Sequence, residues 1–136
     1  MKKTIIANFV IILAIVAFSG KVYSQKAEKP AEGKVKIITD EDFDKTIKKG
    51  VTMIDFWAAW CGPCRRQGPI VEEIANEVSK KIKIGKLDVD KNKIASNTYG
   101  VRNIPTLIFF KDGKEVKRLV GLQDKQTILI ELNALK

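Results

Sequence analysis

The 136-residue sequence contains no histidine and only two cysteines, Cys61 and Cys64. Without an imidazole there is no Ser-His-Asp or Cys-His catalysis, no His-ligated zinc or haem, and no histidine pH switch. Two thiols are too few for a four-thiolate zinc site or for an iron–sulfur cluster held by one chain. A GxGxxG dinucleotide fingerprint is also missing. Any chemistry therefore runs through thiols, carboxylates, lysines or backbone groups. No apolar run reaches the ~20 residues that span a bilayer; the longest, Ile5 to Phe18, is broken at Asn8. No basic stripe with interleaved aromatics appears, which argues against nucleic-acid binding. The remaining proportions, 45% hydrophobic and 30% charged, are those of one soluble globular domain.

The first residues read as an address rather than as fold. Lys2 and Lys3 precede the apolar run, and Val22 and Ser24 suit a signal-peptidase cut before Gln25. Residues 1–24 are thus expected to be a signal peptide, and the protein to be periplasmic or otherwise exported. An uncleaved N-terminal anchor and an apolar helix packed on a cytoplasmic domain are the competing readings. A lipoprotein is disfavoured because no cysteine lies near the cut. Removing 1–24, which holds three lysines and no acid, lowers the formal charge from +9 to +6. The remaining lysines are scattered among acids, as solvated faces that favour solubility. Residues 25–34, with Pro30 and Gly33, form an expected flexible lead-in, leaving 35–136 as the folded domain.

Within that domain the pattern alternates. Val35 to Ile38 is a short strand, after which Thr39 is the expected N-cap of a helix with Asp40, Glu41 and Asp42 in its first turn and Lys48-Lys49-Gly50 at its end. Val51 to Trp57 is apolar and β-rich, as for a strand buried on both faces, with Asp55 interrupting it. A helix follows the Cys61–Cys64 turn to about Lys80, with Ile70, Val71, Ile74, Ala75 and Val78 on one face and Pro69 as a kink. Lys81 to Val89 holds the next strand, and Asn92 to Tyr99 a short helix carrying Ile94 and Ala95. Thr106 to Phe110 is a strand that Asp112-Gly113 turns into Glu115 to Val120. Asp124 caps a last helix with Ile128, Leu129, Leu132 and Leu135 inward. The order β-α-β-α-β-α-β-β-α implies an α/β fold: a mixed central sheet with helices on both faces.

The thiols are the chemical signal. A structural disulfide is the plain alternative in an exported protein, but Cys61-Gly62-Pro63-Cys64 closes only a four-residue loop, worth about 2 kcal/mol. A cysteine at a strand-to-helix turn meets free N–H groups and the positive end of the helix, which favour its thiolate. That makes Cys61 the nucleophile. Cys64, one turn on, is placed to resolve a mixed disulfide by attacking the Cys61 sulfur.

Trp57-Ala58-Ala59-Trp60-Cys61-Gly62-Pro63-Cys64 resembles the active-site segment of thioredoxins, and the resemblance extends over about Val35 to Lys136. Asp55 matches the family's buried aspartate, Pro69 its helix-kinking proline, Ile104-Pro105-Thr106 its cis-proline loop, Lys86 the lysine facing the aspartate, and Gly113 and Gly121 its late glycines. The resemblance implies a thioredoxin fold with no cofactor beyond the cysteine pair. A carboxylate in an apolar strand is expected to have a raised pKa, so that Asp55 takes the proton from Cys64, with Lys86 countering the shift by pairing with it. A partly solvated or ion-paired Asp55 is the alternative. The cis bond implied before Pro105 presents the Ile104 backbone to an extended substrate. Trp60, Gly62, Pro63, Ile104 and Gly121 then form a flat apolar docking rim, although Trp60 also reads as a simple exposed aromatic and Pro105 as a strand boundary. Arg65-Arg66 and Gly68 depart mildly from the family pattern.

The expected function is a protein-disulfide oxidoreductase reducing substrate disulfides outside the cytoplasm, as a monomer re-reduced by a membrane thiol relay. An oxidase or isomerase, and a specialised haem-apoprotein reductase, are the runners-up. The short span from Cys61 to Pro105 leaves no room for the helical insertion of disulfide-forming relatives or the αβ insertion of cytochrome-maturation relatives. A thioredoxin-fold binding or scaffolding module is the alternative of another class.

Overall fold

The computed structural model describes residues 35–136. The expected signal peptide over 1–24, the cut before Gln25 and the lead-in over 25–34 lie outside the described residues. The elements are β1 (Val35–Ile37), α1 (Phe43–Ile47), β2 (Val51–Trp57), α2 (Gly62–Glu77), β3 (Lys83–Asp88), α3 (Lys93–Thr98), β4 (Thr106–Lys111), β5 (Lys114–Val120) and α4 (Lys125–Ala134).

The strands form one sheet in the order β1-β3-β2-β4-β5. β3 runs parallel to both β1 and β2, as helical crossovers require, while β4 and β5 are antiparallel. β2 is central, and every side chain from Val51 to Phe56 is buried. Strand alternation divides the core in two. Val51, Met53, Ile84, Leu107 and Phe109 pack under Val71, Ile74 and Ala75 of α2 and Ile128 and Leu132 of α4. Ile54, Phe56, Leu87, Ile108 and Phe110 pack against Phe43 and Ile47 of α1 and Ala95 of α3. The same alternation puts Asp55, between Met53 and Trp57, on the α2 face of β2, and Lys86, two residues after Ile84, on the α2 face of β3.

The β4–β5 turn is formed by Asp112 and Gly113, with φ of 50° and 84°. Both values are positive, as a tight hairpin turn between twisted strands demands. The Asp112 carboxylate also accepts the Gly50 N–H at 2.8 Å, holding the hairpin to the α1–β2 loop.

Several local expectations are corrected. Thr39 does not cap α1. Residues 40–42 form a turn in which the Asp42 carboxylate accepts the Thr39 N–H at 2.9 Å, and helical geometry begins only at Phe43. Asp40 instead caps a different helix: its two oxygens accept the N–H groups of Ile94 (3.1 Å) and Ala95 (2.8 Å) in α3. The carboxylate satisfies free amides at the positive end of α3, and tertiary proximity outweighs the local pattern. α2 ends at Glu77 because Val78 turns to an extended conformation (ψ 157°). In α3, Ala95 is buried but Ile94 is 70% exposed. In the last helix Ile128 and Leu132 are fully buried, whereas Leu129 and Leu135 are only partly covered.

Candidate active site

Cys61 occupies the N-cap of α2. Its φ and ψ of −81° and 109° are extended, and its sulfur accepts the Cys64 N–H at 3.2 Å. Pro63 follows in the first turn, where its missing N–H costs nothing because no intrahelical acceptor exists there. The sulfur therefore faces the unpaired amides and positive end of a sixteen-residue helix. Cys61 and Cys64 are joined in a disulfide with Cα atoms 5.2 Å apart. The pair is buried against Ala58, with Trp57, Val89 and Ile104 around it.

Asp55 lies beneath this helix and is fully buried. Neither carboxylate oxygen has a hydrogen-bond partner among the described residues. An unsatisfied carboxylate cut off from water resists ionisation. Burial accordingly lifts the Asp55 pKa to about 7, with the positive charge of Lys86 opposing the rise. Lys86 and Asp55 are register partners across the parallel β2–β3 pair. Contrary to the pairing expected from sequence, the ammonium makes no hydrogen bond to Asp55. It lies over the Trp57 ring, 5.0 Å from the centroid, an attractive cation–π placement. A methyl group added at Gly68 would meet this ammonium at 3.4 Å, an ordinary contact.

The Ile104–Pro105 bond is cis. Ile104 O lies 3.7 Å from Cys61 Sγ, which brings the Pro105 loop to the disulfide although 43 positions separate the two residues. The Gly121 N–H donates to Pro105 O at 2.8 Å, drawing the loop after β5 to the same end of the sheet. Gly121 has a φ of 88°, a conformation that favours glycine. Trp60 is 68% exposed. Its indole N–H donates to Asp90 at 2.7 Å, which orients the ring. Pro63 is exposed, Gly62 half-buried, and Leu122 and Val120 beside Gly121 are also exposed.

Two residues escaped the sequence reading. Asp90 has no local signal, since its contact with Trp60 spans 30 positions. Gln67 did carry one: it falls on the buried stripe of α2 with Cys64, Val71 and Ile74. A polar residue on an apolar stripe needs a partner. The carboxamide of Gln67 is fully buried, accepting the Gln123 N–H at 2.8 Å and donating to Gln123 O at 3.3 Å. One side chain thus ties the catalytic helix to the loop that bonds Pro105.

A thioredoxin family profile matches residues 34–134. The chain belongs to the thioredoxin family. It is 50% identical over 91 residues to a thioredoxin of Staphylococcus epidermidis, covering 67% of this chain and 88% of the relative. Identity is also 50% over 99 residues with a thioredoxin of Chlamydia pneumoniae, covering 73% and 96%. The solved structure of a mutant thioredoxin from Halobacterium salinarum NRC-1 superposes with a TM-score of 0.70 at 33% identity, over 76% of this chain and 92% of that one. The thioredoxin of Malassezia sympodialis gives 0.68 at 35% identity, over 76% and 91%. The protein is a thioredoxin-type dithiol–disulfide oxidoreductase that acts on disulfide-containing proteins and needs no cofactor beyond its cysteine pair.

Proposed function

We propose that the protein is an exported thioredoxin that reduces protein disulfides outside the cytoplasm. The observation carrying the mechanism is the unpartnered Asp55 carboxylate beneath the helix that bears Cys64. The reduced Cys61 thiolate, favoured by the α2 terminus, attacks a substrate sulfur and expels one substrate thiolate. Asp55, half ionised near its pKa of about 7, takes the Cys64 proton. Cys64 then attacks Cys61 Sγ, and the second substrate thiolate leaves. The substrate gains two electrons and, once its thiolates pick up solvent protons, two protons; the Cys61–Cys64 disulfide forms. Lys86 moderates the Asp55 shift through its charge. Trp60, Gly62, Pro63, Ile104, Pro105 and Gly121 form the rim on which an extended substrate segment docks.

Export rests on the basic-then-apolar order of residues 1–24 and the small residues before Gln25. In this reading the monomer is re-reduced by a membrane thiol relay. Insulin-disulfide reduction with dithiothreitol tests the chemistry: the protein accelerates the reaction and Cys61→Ser does not. Equilibration with glutathione tests direction. A potential near about −270 mV, the value known for thioredoxins themselves, supports reduction, and one near about −120 mV identifies an oxidant. For export, N-terminal sequencing of protein recovered outside the cytoplasm should begin at Gln25; an intact Met1 in the membrane fraction identifies the retained anchor.

A further inference from the structure

The four arginines divide sharply by partner. Arg118 is held by Glu115 through two 2.8 Å hydrogen bonds and donates to Tyr99 O at 2.7 Å. Arg65, Arg66 and Arg102 are exposed and make no side-chain hydrogen bond or ion pair among the described residues. Their positions place them on the segments that build the site. Arg65 directly follows Cys64 and lines a hollow with Trp57, Cys64, Pro69, Glu72 and Lys86. Arg66 is one helical turn beyond the exposed Pro63, on the same face of α2. Arg102 stands two residues before Ile104 in the cis-proline loop.

Acids are few in the segments that build the site. Residues 56–71, 91–111 and 116–123, which build the disulfide turn, the Pro105 loop and the Gly121 loop, contain no aspartate or glutamate. Of the nearby acids, Asp90 is engaged by the Trp60 indole at 2.7 Å and by Lys93 at 3.7 Å. Glu72 borders the Arg65 hollow without forming an ion pair to it. An unpaired guanidinium presents a rigid fork of donors matched to a carboxylate. Arg65 beside Cys64, Arg66 on the next turn of α2 and Arg102 in the cis-proline loop add a local positive field that attracts an acidic segment and orients it.

We propose that this docking rim selects protein disulfides flanked by acidic residues, with Arg65, Arg66 and Arg102 as the determinants. The inference rests on the oxidoreductase mechanism proposed above and specifies its substrate class. Carboxylates on either side of the substrate disulfide pair with the arginines while the disulfide itself lies over Cys61. Lys86 lines the same hollow as Arg65 but lies over the Trp57 ring.

The test uses the reduced protein and three synthetic peptide disulfides of identical core, flanked by aspartates, lysines or neutral serines. Second-order rates are followed by stopped flow at low ionic strength and at about 0.5 M salt. The expected result is a preference of about tenfold for the acidic over the basic peptide at low salt, collapsing at high salt. The triple variant Arg65→Ala/Arg66→Ala/Arg102→Ala should bring the acidic-to-basic ratio close to one. Because the readout is a ratio, effects of the substitutions on the thiols themselves cancel. Lys45→Ala/Lys48→Ala/Lys49→Ala removes the same charge from the exposed surface around α1 and should keep the preference. Equal rates for acidic and basic peptides, or a ratio that falls equally in the lysine variant, overturn the proposal. If the neutral peptide also fails to react, the oxidoreductase mechanism fails with it, which separates the two outcomes.

Discussion

Asp55 and Lys86 are register partners on neighbouring parallel strands, yet the carboxylate is unbonded and the ammonium lies over Trp57 at 5.0 Å. The lysine thus acts on the aspartate only through its field, and the acid is neither neutralised by a contact ion pair nor freed to its solution pKa. Desolvation raises its pKa to about 7 and the lysine keeps it from rising further. A group so poised accepts a proton at neutral pH and returns it readily.

The pH dependence of stability follows from that shift. Between the unfolded value of 3.8 and the folded value of about 7, the native state holds a proton that the unfolded state has lost. Wild-type stability therefore falls as pH rises through this window and levels off above it. Asp55→Asn lacks this dependence. The stability difference in favour of the oxidised variant should grow by roughly 4 kcal/mol from about pH 4 to about pH 8.5, read from urea unfolding curves. A difference independent of pH would show that Asp55 titrates normally in the folded protein.

Catalysis tests the same carboxylate by a different route. In a preformed mixed disulfide on Cys61, thiol release depends on deprotonating Cys64. Release should accelerate as pH rises through about 7, and Asp55→Asn should slow it on the order of a hundredfold at neutral pH. Lys86→Met removes the opposing charge, so the Asp55 pKa rises further and the wild-type rise in rate moves to higher pH. Identical profiles in all three proteins would remove Asp55 from proton transfer.

How much of this was legible beforehand depended on the range of the interaction. Strand β2 and the N-cap position of Cys61 are written in a few neighbouring residues, so periodicity and turn chemistry revealed them. The cis bond before Pro105 was expected only through the family resemblance, whereas the raised pKa of Asp55 also followed from a carboxylate set in an apolar strand. Contacts between distant segments were not readable. Asp40 follows Thr39 and precedes two acids, a local pattern that suggests a first helical turn, but its carboxylate is drawn to the α3 amides of Ile94 and Ala95, 54 and 55 positions away. Trp60 was expected in the docking rim, with a simple exposed aromatic as the alternative, but its bond to Asp90 was not foreseen because nothing near it in sequence indicates that residue. Lys86 was expected on a strand beside Asp55, countering its shift by pairing with it; its charge does oppose the shift, but the ammonium lies over the Trp57 ring rather than bonding the carboxylate.

Gln67, a polar residue on the buried stripe of α2, supplies a further prediction. Its carboxamide closes a path from α2 through Gln123 to Gly121, whose N–H bonds Pro105 O. Gln67→Leu preserves size and apolar packing while stranding the Gln123 N–H and C=O. The expected destabilisation is about 1–3 kcal/mol, seen as a lower urea midpoint at constant slope. Because the freed loop carries part of the docking rim, KM for a peptide disulfide should rise severalfold with kcat nearly unchanged, and Gln67→Glu, which keeps the acceptor for the Gln123 N–H, should recover part of the loss. A loss of stability with KM unaltered would leave Gln67 as a packing residue alone.

The order of the two thiols gives the last expected outcome. Cys61 is at the helix terminus beside Ile104 O, while Cys64 sits one turn in, on the buried face of α2. Cys64→Ser should therefore accumulate a mixed disulfide between Cys61 and a substrate protein, because attack proceeds and resolution cannot. Cys61→Ser should trap little under the same conditions, since the remaining thiol lacks the N-cap amides that favour a thiolate. Non-reducing electrophoresis followed by peptide mapping distinguishes the two. Equal trapping by both variants would mean that either sulfur can begin the reaction, and the assignment of nucleophile and resolving thiol would fall.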